Sequence, residues 1–543
     1  MPGIKKGLYL SMIVCLSVML ILAGCSNNTS SSNNEKPSKS NTDKTEPADN
    51  NNKPADTPAA PSSGGVLKLA MNNGAVNIGY MPQARTIEET IIGGAALETL
   101  TRFDSKGNFV PWLAVSWEQD IEGKAITYKL QQGVKFHDGT DFNAEAVKWN
   151  LDHLLSVEKR EFSNLASVDV VDAYTVKLNL KSWDSTMIET VTNFLWIMSP
   201  DSFEKLGKDN FAKEPVGTGA FVIDDFNQDV VVKFKKFDSY WQEGKPYLDG
   251  LEFHIIKDPM ITSASFQAGD IDGYLMPPTN IIKELESGNT IVKLVSGLGA
   301  RGGGFITDSA NPKSPFADVK VRKAFGYAID SDAILNSLFG DTVISTNQWG
   351  LSTTWSYNPD VEGQPYDPEK AKQLLAEAGY PDGFKTKLTG GPGDNDRLTA
   401  VQAYLKEVGI NAQIEIVETG KYKDLTGAES NWEGIITYNS RGDADLALYM
   451  SRNFAPGGPL YANNILHPED VTKLLSDAKV APDQETKTKI SHELQKLVYD
   501  EYALAYPEYI TTSPAILKSY VIDSGINETY MTFFRPEDAK ISK

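Results

Sequence analysis

Gly123–Leu155 reads GKAITYKLQQGVKFHDGTDFNAEAVKWNLDHLL, which is a strand, a tight turn and a helix in close succession. Ile126, Tyr128 and Leu130 alternate with Thr127 and Lys129. Successive side chains of a strand leave opposite faces, so this period of two marks a half-buried strand. Lys135–Thr140 reads as a strand closing on an Asp138-Gly139 turn. Asn143 stands where its side-chain oxygen can accept from a free amide of a helix beginning near Ala144. A chain that changes period this quickly predicts a mixed α/β body.

The same two periods recur on either side. Val176, Leu178 and Leu180 alternate with Lys177 and Asn179, and Val230, Val232 and Phe234 alternate less strictly. In Tyr366–Phe384, Asp367 can cap and Pro368 takes the first helical position. Ala371, Leu374, Leu375 and Ala378 then form one apolar stripe, Gly379 supplies a left-handed end and Pro381 blocks continuation. Asp318 predicts the start of a helix carrying Val321, Ala324, Phe325 and Ala328, and a second helix follows Ser331 and stops at Gly340. No internal repeat is visible.

The chain has 543 residues, 41% of them apolar and 23% charged, as in ordinary globular proteins. A net charge of −20 argues against a basic face for nucleic acid or anionic lipid. Both cysteines, Cys15 and Cys25, lie near the N-terminus, which leaves the rest without a disulfide, a thiolate nucleophile or a thiolate metal site.

Residues 1–24 read as a targeting segment. Lys5 and Lys6 precede the apolar run Leu8–Leu22, which is short for a spanning helix of roughly 20 residues. Leu22-Ala23-Gly24-Cys25 then looks like a bacterial lipoprotein signal, in which the cysteine is lipidated and becomes the new N-terminus. Cleavage before Cys25 removes two lysines and no acid, taking the net charge from −20 to −22. Residues 26–63 contain no aromatic, Leu, Ile, Val or Met. Such a stretch cannot bury enough apolar surface to offset its ordering entropy, so 25–63 is expected to be a disordered, lipid-tethered linker. The implied location is the extracytoplasmic face of the cell membrane.

Catalytic signatures are missing. The five histidines, His137, His153, His254, His467 and His492, form no metal-ligand pair, and no metal or cofactor is expected. There is no GxSxG elbow or phosphate-binding GxxxxGK[ST] loop. Gly297-Leu298-Gly299-Ala300-Arg301-Gly302 is a literal GxGxxG, but Gly303, Gly304, Phe305 and Ile306 follow it, with Pro312 and Pro315 beyond. A dinucleotide site needs that loop to open a helix, so a close backbone approach to a ligand or another strand fits better. No carboxylate pair is singled out for glycoside hydrolysis. An exported hydrolase is the rival from another class, and these absences count against it.

Gly123–Leu155 closely resembles the characteristic segment of the family 5 solute-binding proteins of ABC transporters, the oligopeptide, dipeptide and nickel-binding group. Pro215–Phe221, Tyr240–Asp249, Phe266–Asp272, Pro315–Asp330 and Tyr366–Phe384 match further family blocks in family order. The resemblance runs from about residue 64 to the end. It implies an α/β, two-lobed periplasmic-binding-protein-like fold of the class II type with an extra inserted subdomain. Residues 64–100, 211–305 and 508–543 would form lobe I, 101–210 the insert and 306–507 lobe II. The lobes would close over a small, most often peptide-like solute by hinge motion, without catalysis, and a monomer would dock on ABC transporter permease subunits. A nickel chelate, an oligosaccharide or an opine-like anion are the alternative guests.

In peptide-binding members, a loop after a strand carries Trp, a small residue, then an Asp that holds the peptide ammonium. Ungapped matching of Trp432–Leu446 puts Asn439 at the Trp position and Gly442 at the Asp position, with Arg441 and Asp443 on either side. This departure leaves three readings open. Asp443 takes the role after a one-residue shift, Arg441 binds an anionic group, or both are solvated loop charges. Tyr438 belongs to the same stretch. By the same resemblance, Ile78–Arg85 with Tyr80 and Arg85, and Gly299–Gly304 with Arg301, should line the cleft. Trp349 and Trp355 could stack on a flat or sugar-like guest, or sit in the core.

Overall fold

A computed structural model describes residues 64–84, 86–294, 301–441, 444–526 and 534–542. The signal and linker readings, with Cys25, therefore lie outside the described residues. The strand, turn and helix expected at 123–155 are present. Strand Ala125–Leu130 leads to helix Ala144–Ser156, and the Asn143 side chain accepts from the Ala146 amide at 3.0 Å. Between them, Lys135 and Asp141 make a single bridge, so the Asp-Gly turn closes a loop rather than a full hairpin. Gly139 sits there at φ +86°.

Two large sheets dominate. The first has seven strands in the order Phe221–Asn227, Val231–Lys236, Gly250–Ile255, Val66–Met71, Gly273–Leu275, Ser513–Lys518 and Asn289–Leu294. The second has six, in the order Val343–Ser345, Ala505–Thr511, Arg301–Thr307, Ile435–Arg441, Phe384–Gly390 and Ile410–Ile416. Each mixes parallel and antiparallel neighbours. A separate four-stranded antiparallel sheet, Ala114–Asp120, Ala125–Leu130, Thr175–Leu180 and Leu165–Asp172, forms the heart of residues 101–210. Helix Ala144–Ser156 covers it, burying Val147, Leu151 and Leu154.

Helix boundaries follow their caps. Asp367 accepts from the Lys370 amide and opens Pro368–Glu377, with Gly379 beyond at φ +90°. Asp318 opens Val319–Tyr327. The next helix, Ser331–Leu338, is capped by Asp330 and gives way at Phe339, slightly short of the expected Gly340. Val230 lies just outside strand Val231–Lys236, which explains why the alternation there is loose. The PVGTGAF block has a packing reason. A Cβ on Gly217 would lie 2.3 Å from the Ala96 carbonyl oxygen, and one on Gly219 2.7 Å from that of Ala95.

Buried charges stitch distant segments together. Glu98 accepts from Trp112 Nε1, Thr218 Oγ1, Tyr240 Oη and Trp241 Nε1 at 2.7 to 3.1 Å, and Arg102 bridges it to Glu537. Burial pushes the Glu98 carboxyl above its ordinary range, against the pull of Arg102. In the second sheet, Arg397 pairs with Glu508 on Ala505–Thr511 and with Asp394 at 2.8 Å.

Candidate functional site

The chain passes between the two large sheets at two places whose flanking strands are neighbours. Asn289–Leu294 in the first sheet leads through 295–300 to Arg301–Thr307 in the second, and Ala505–Thr511 returns through Thr512 to Ser513–Lys518. Leu294 is the register partner of Ser513, and Gly302 that of Ile510. The strands that flank the two connections are thus antiparallel neighbours in both sheets. The glycine run serves this crossing. No helix opens after it, and a Cβ on Gly303 would lie 2.3 Å from the Tyr509 ring while one on Gly304 would lie 2.2 Å from the Tyr506 carbonyl oxygen. The close approach is to a neighbouring strand.

A second contact region joins residues 101–210 to the half built on the six-stranded sheet. The Ser185 amide donates to the Lys479 carbonyl at 2.8 Å, and Asp184 pairs with Lys479 at 3.3 Å. Gln484 Nε2 donates to Asn108 Oδ1 at 2.8 Å. The Trp355 amide donates to the Lys106 carbonyl at 3.3 Å. A cavity of about 210 Å³ opens in this seam, with Phe103, Phe109 and Glu189 on one side and Trp355, Ala444 and Lys487 on the other. Asp445 stands at its edge. Its carboxylate caps helix Leu446–Phe454 through the Leu448 amide and pairs with Lys487 at 2.5 Å. Both side chains are buried. Asp445 is therefore already neutralised and does not present a free negative charge to a guest.

The expected site residues divide into groups. Trp355 reaches the seam, packing near Phe109 and Ala444. Trp349 does not. It is wholly buried, with Tyr438, Tyr449 and Tyr499 at ring-centre distances of 5.5 to 5.9 Å, and its amide donates to the Tyr499 hydroxyl. Its faces are filled by the core, which corrects the expectation that it stacks on a guest. Tyr438 is equally buried, with its hydroxyl donating to Asn453 Oδ1, which corrects the expectation that it faces a guest; burial holds that hydroxyl well above the ordinary phenol range. Tyr80 is buried 2.9 Å from His153 Nε2, against Phe203. Desolvation lowers the His153 pKa, which keeps that imidazole neutral beside the phenol.

Arg301 and Arg441 are register partners on adjacent strands, as are Gly303 and Asn439, so the backbone brings these positions together next to the crossing. Arg85 and Asp443 lie outside the described residues. Sequence reasoning passed over Phe103, Phe109, Ser185, Asp445, Lys479 and Lys487. Asp445 stood inside the quoted loop, but its partner is 42 residues away and has no local signal. Among the described residues, no group of His, Cys, Asp and Glu is arranged to hold a metal ion.

Comparison with known proteins agrees with this architecture. The profile of the bacterial extracellular solute-binding proteins, family 5, matches residues 108–494. The glutathione-binding protein GsiB of Shigella flexneri serotype 5b is 33% identical over 411 residues, covering 72% of this chain and 78% of that protein. Among solved structures, the periplasmic binding protein DppA of Helicobacter pylori, in complex with the peptide STSA, is 24% identical with a TM-score of 0.67, covering 89% of this chain and 99% of that one. The murein tripeptide-binding protein MppA, in an unliganded open form, is 19% identical with a TM-score of 0.76, covering 89% and 98%. With a matching profile over most of its length and a relative of this identity, the chain belongs to the family 5 bacterial extracellular solute-binding proteins, the substrate-binding components of ABC transporters rather than enzymes.

Proposed function

We propose that this protein captures a small peptide-like solute outside the cytoplasm and delivers it to the permease of an ABC importer as a lipid-anchored monomer. The observation that carries the reading is that Asn289–Leu294 and Ser513–Lys518 pair in one sheet while the strands that continue from them, Arg301–Thr307 and Ala505–Thr511, pair in the other, the double strand exchange that a two-lobed hinge needs. In this reading 64–100, 211–305 and 508–543 make one lobe, 101–210 an insert and 306–507 the other lobe. The strand exchanges support this division with its seams at 295–300 and Thr512, because the whole of Arg301–Thr307 and Ala505–Thr511 belongs to the second sheet.

The name of the GsiB relative favours a short peptide such as glutathione over a nickel chelate or an oligosaccharide. Trp355, Arg85, Arg301, Asn439, Arg441 and Asp443 remain the proposed guest-facing positions, while Tyr80 is buried against His153 and Phe203 and is set aside. Calorimetry of the purified protein against glutathione, a tripeptide pool, nickel–histidine and oligosaccharides tests the reading. Saturable binding of a peptide without turnover is expected, and consumption of a probe without a bound complex would overturn it. The anchor is tested separately, since Cys25→Ser should release the protein from membranes.

A further inference from the structure

On the far side of the Asp445–Lys487 pair lies a larger cavity of about 570 Å³, within the size range of small-molecule sites. It is formed where Asp184 and Thr186 of the insert face helices Leu446–Phe454 and Glu469–Lys479 of the second half. Three cations line it, Arg452, Lys479 and Lys487. Lys487 is matched by Asp445 at 2.5 Å and Lys479 by Asp184 at 3.3 Å. Arg452 is not matched. Its Nε is buried without a partner, and its guanidinium makes no hydrogen bond or ion pair among the described residues.

The hydroxyls nearby are already committed as donors. Ser451 donates to the Leu448 carbonyl, Ser476 to that of Thr472, and Thr186 to Asp184. With two ion pairs cancelled, the cavity holds one uncompensated positive charge on a planar fork of N–H donors. A carboxylate matches the geometry of such a fork with two parallel hydrogen bonds.

We propose that this cavity is a carboxylate compartment, in which Arg452 takes a carboxylate of the bound solute. The proposal rests on the receptor reading above and narrows its guest to a peptide with a free carboxylate. Because the walls come from both the insert and the second half, an occupied compartment ties the two together.

Purified wild-type protein, Arg452→Gln and Arg452→Lys should be titrated calorimetrically with trialanine, trialanine amide and succinate, after circular dichroism has shown each variant folded. The wild type should bind trialanine about 10- to 100-fold more tightly than its amide, the range of a charge-assisted hydrogen bond. That preference should vanish in Arg452→Gln and survive in part in Arg452→Lys. Equal binding of acid and amide by the wild type overturns the compartment and leaves the receptor reading standing, as does an undiminished preference in folded Arg452→Gln. If neither peptide binds the wild type, the peptide reading fails, and succinate decides the compartment alone. Binding of succinate to the wild type but not to Arg452→Gln upholds it, and any other succinate result overturns it.

Discussion

The Thr512 amide and the Thr512 hydroxyl both donate to the Thr342 carbonyl, each at 3.0 Å. Thr512 is the single residue between Ala505–Thr511 in one sheet and Ser513–Lys518 in the other. One of the two crossings is therefore held to the second half by a doubled anchor. Thr512→Val keeps the amide bond and the shape but loses the hydroxyl bond. Its urea midpoint should fall by the equivalent of about 0.5–1.5 kcal/mol. An unchanged midpoint would show that the hydroxyl anchor contributes nothing.

His137 makes stability sensitive to acid. Its Nε2 lies 2.8 Å from the Gly219 carbonyl and its Nδ1 accepts from the Gly217 amide at 3.4 Å, an arrangement that fits the neutral ring with its proton on Nε2. Burial lowers its pKa to about 4, against 6.5 for a free histidine. Between those values the unfolded chain binds the extra proton. The contribution is therefore complete above pH 6.5 and is lost as pH falls toward 4, at up to about 1.4 kcal/mol per pH unit. Thermal unfolding of His137→Gln should show a flatter dependence than the wild type across that window, and parallel curves would refute the assignment.

Trp349 and Trp355 should separate stability from binding. Trp349→Ala removes a wholly buried indole from among three tyrosines and should cost about 3–5 kcal/mol in chemical denaturation. Trp355 is only partly buried at the seam, so Trp355→Ala should unfold near the wild-type midpoint while weakening solute binding. Loss of binding by a folded Trp349 variant with Trp355→Ala unaffected would reverse these roles.

The charges beside Gly442 predict different ligand preferences. If Asp443 holds an ammonium, Asp443→Ala should weaken a peptide with a free amino terminus and spare its N-acetyl form. If Arg441 holds an anion, Arg441→Ala should weaken acidic peptides most. Calorimetric affinities unchanged within threefold for both variants would mean that these are solvated loop charges.

Local chemistry was readable wherever neighbours in sequence decide the outcome. Asn143, Asp318 and Asp367 announce their helices because a cap needs only its own side chain and an amide two or three residues on. The period of two at 126–130 is likewise a local property. The helix expected after Ser331 instead begins at Ser331, because the side chain of Asp330 accepts from the Ala333 amide and caps it one residue earlier.

From residue order alone came the mixed α/β class, the lack of thiol chemistry in the body and the ordered blocks of a solute-binding family. The first two depend on composition and short-range periodicity, and the third on resemblance of the quoted blocks to that family. Tertiary structure decided which tryptophan is core and which faces the seam, that Asp445 is spent on Lys487, and that Arg452 is left without a partner. The reason is physical: burial and charge compensation arise between segments tens to hundreds of residues apart, and a side chain's free charge is defined only once folding has chosen its neighbours.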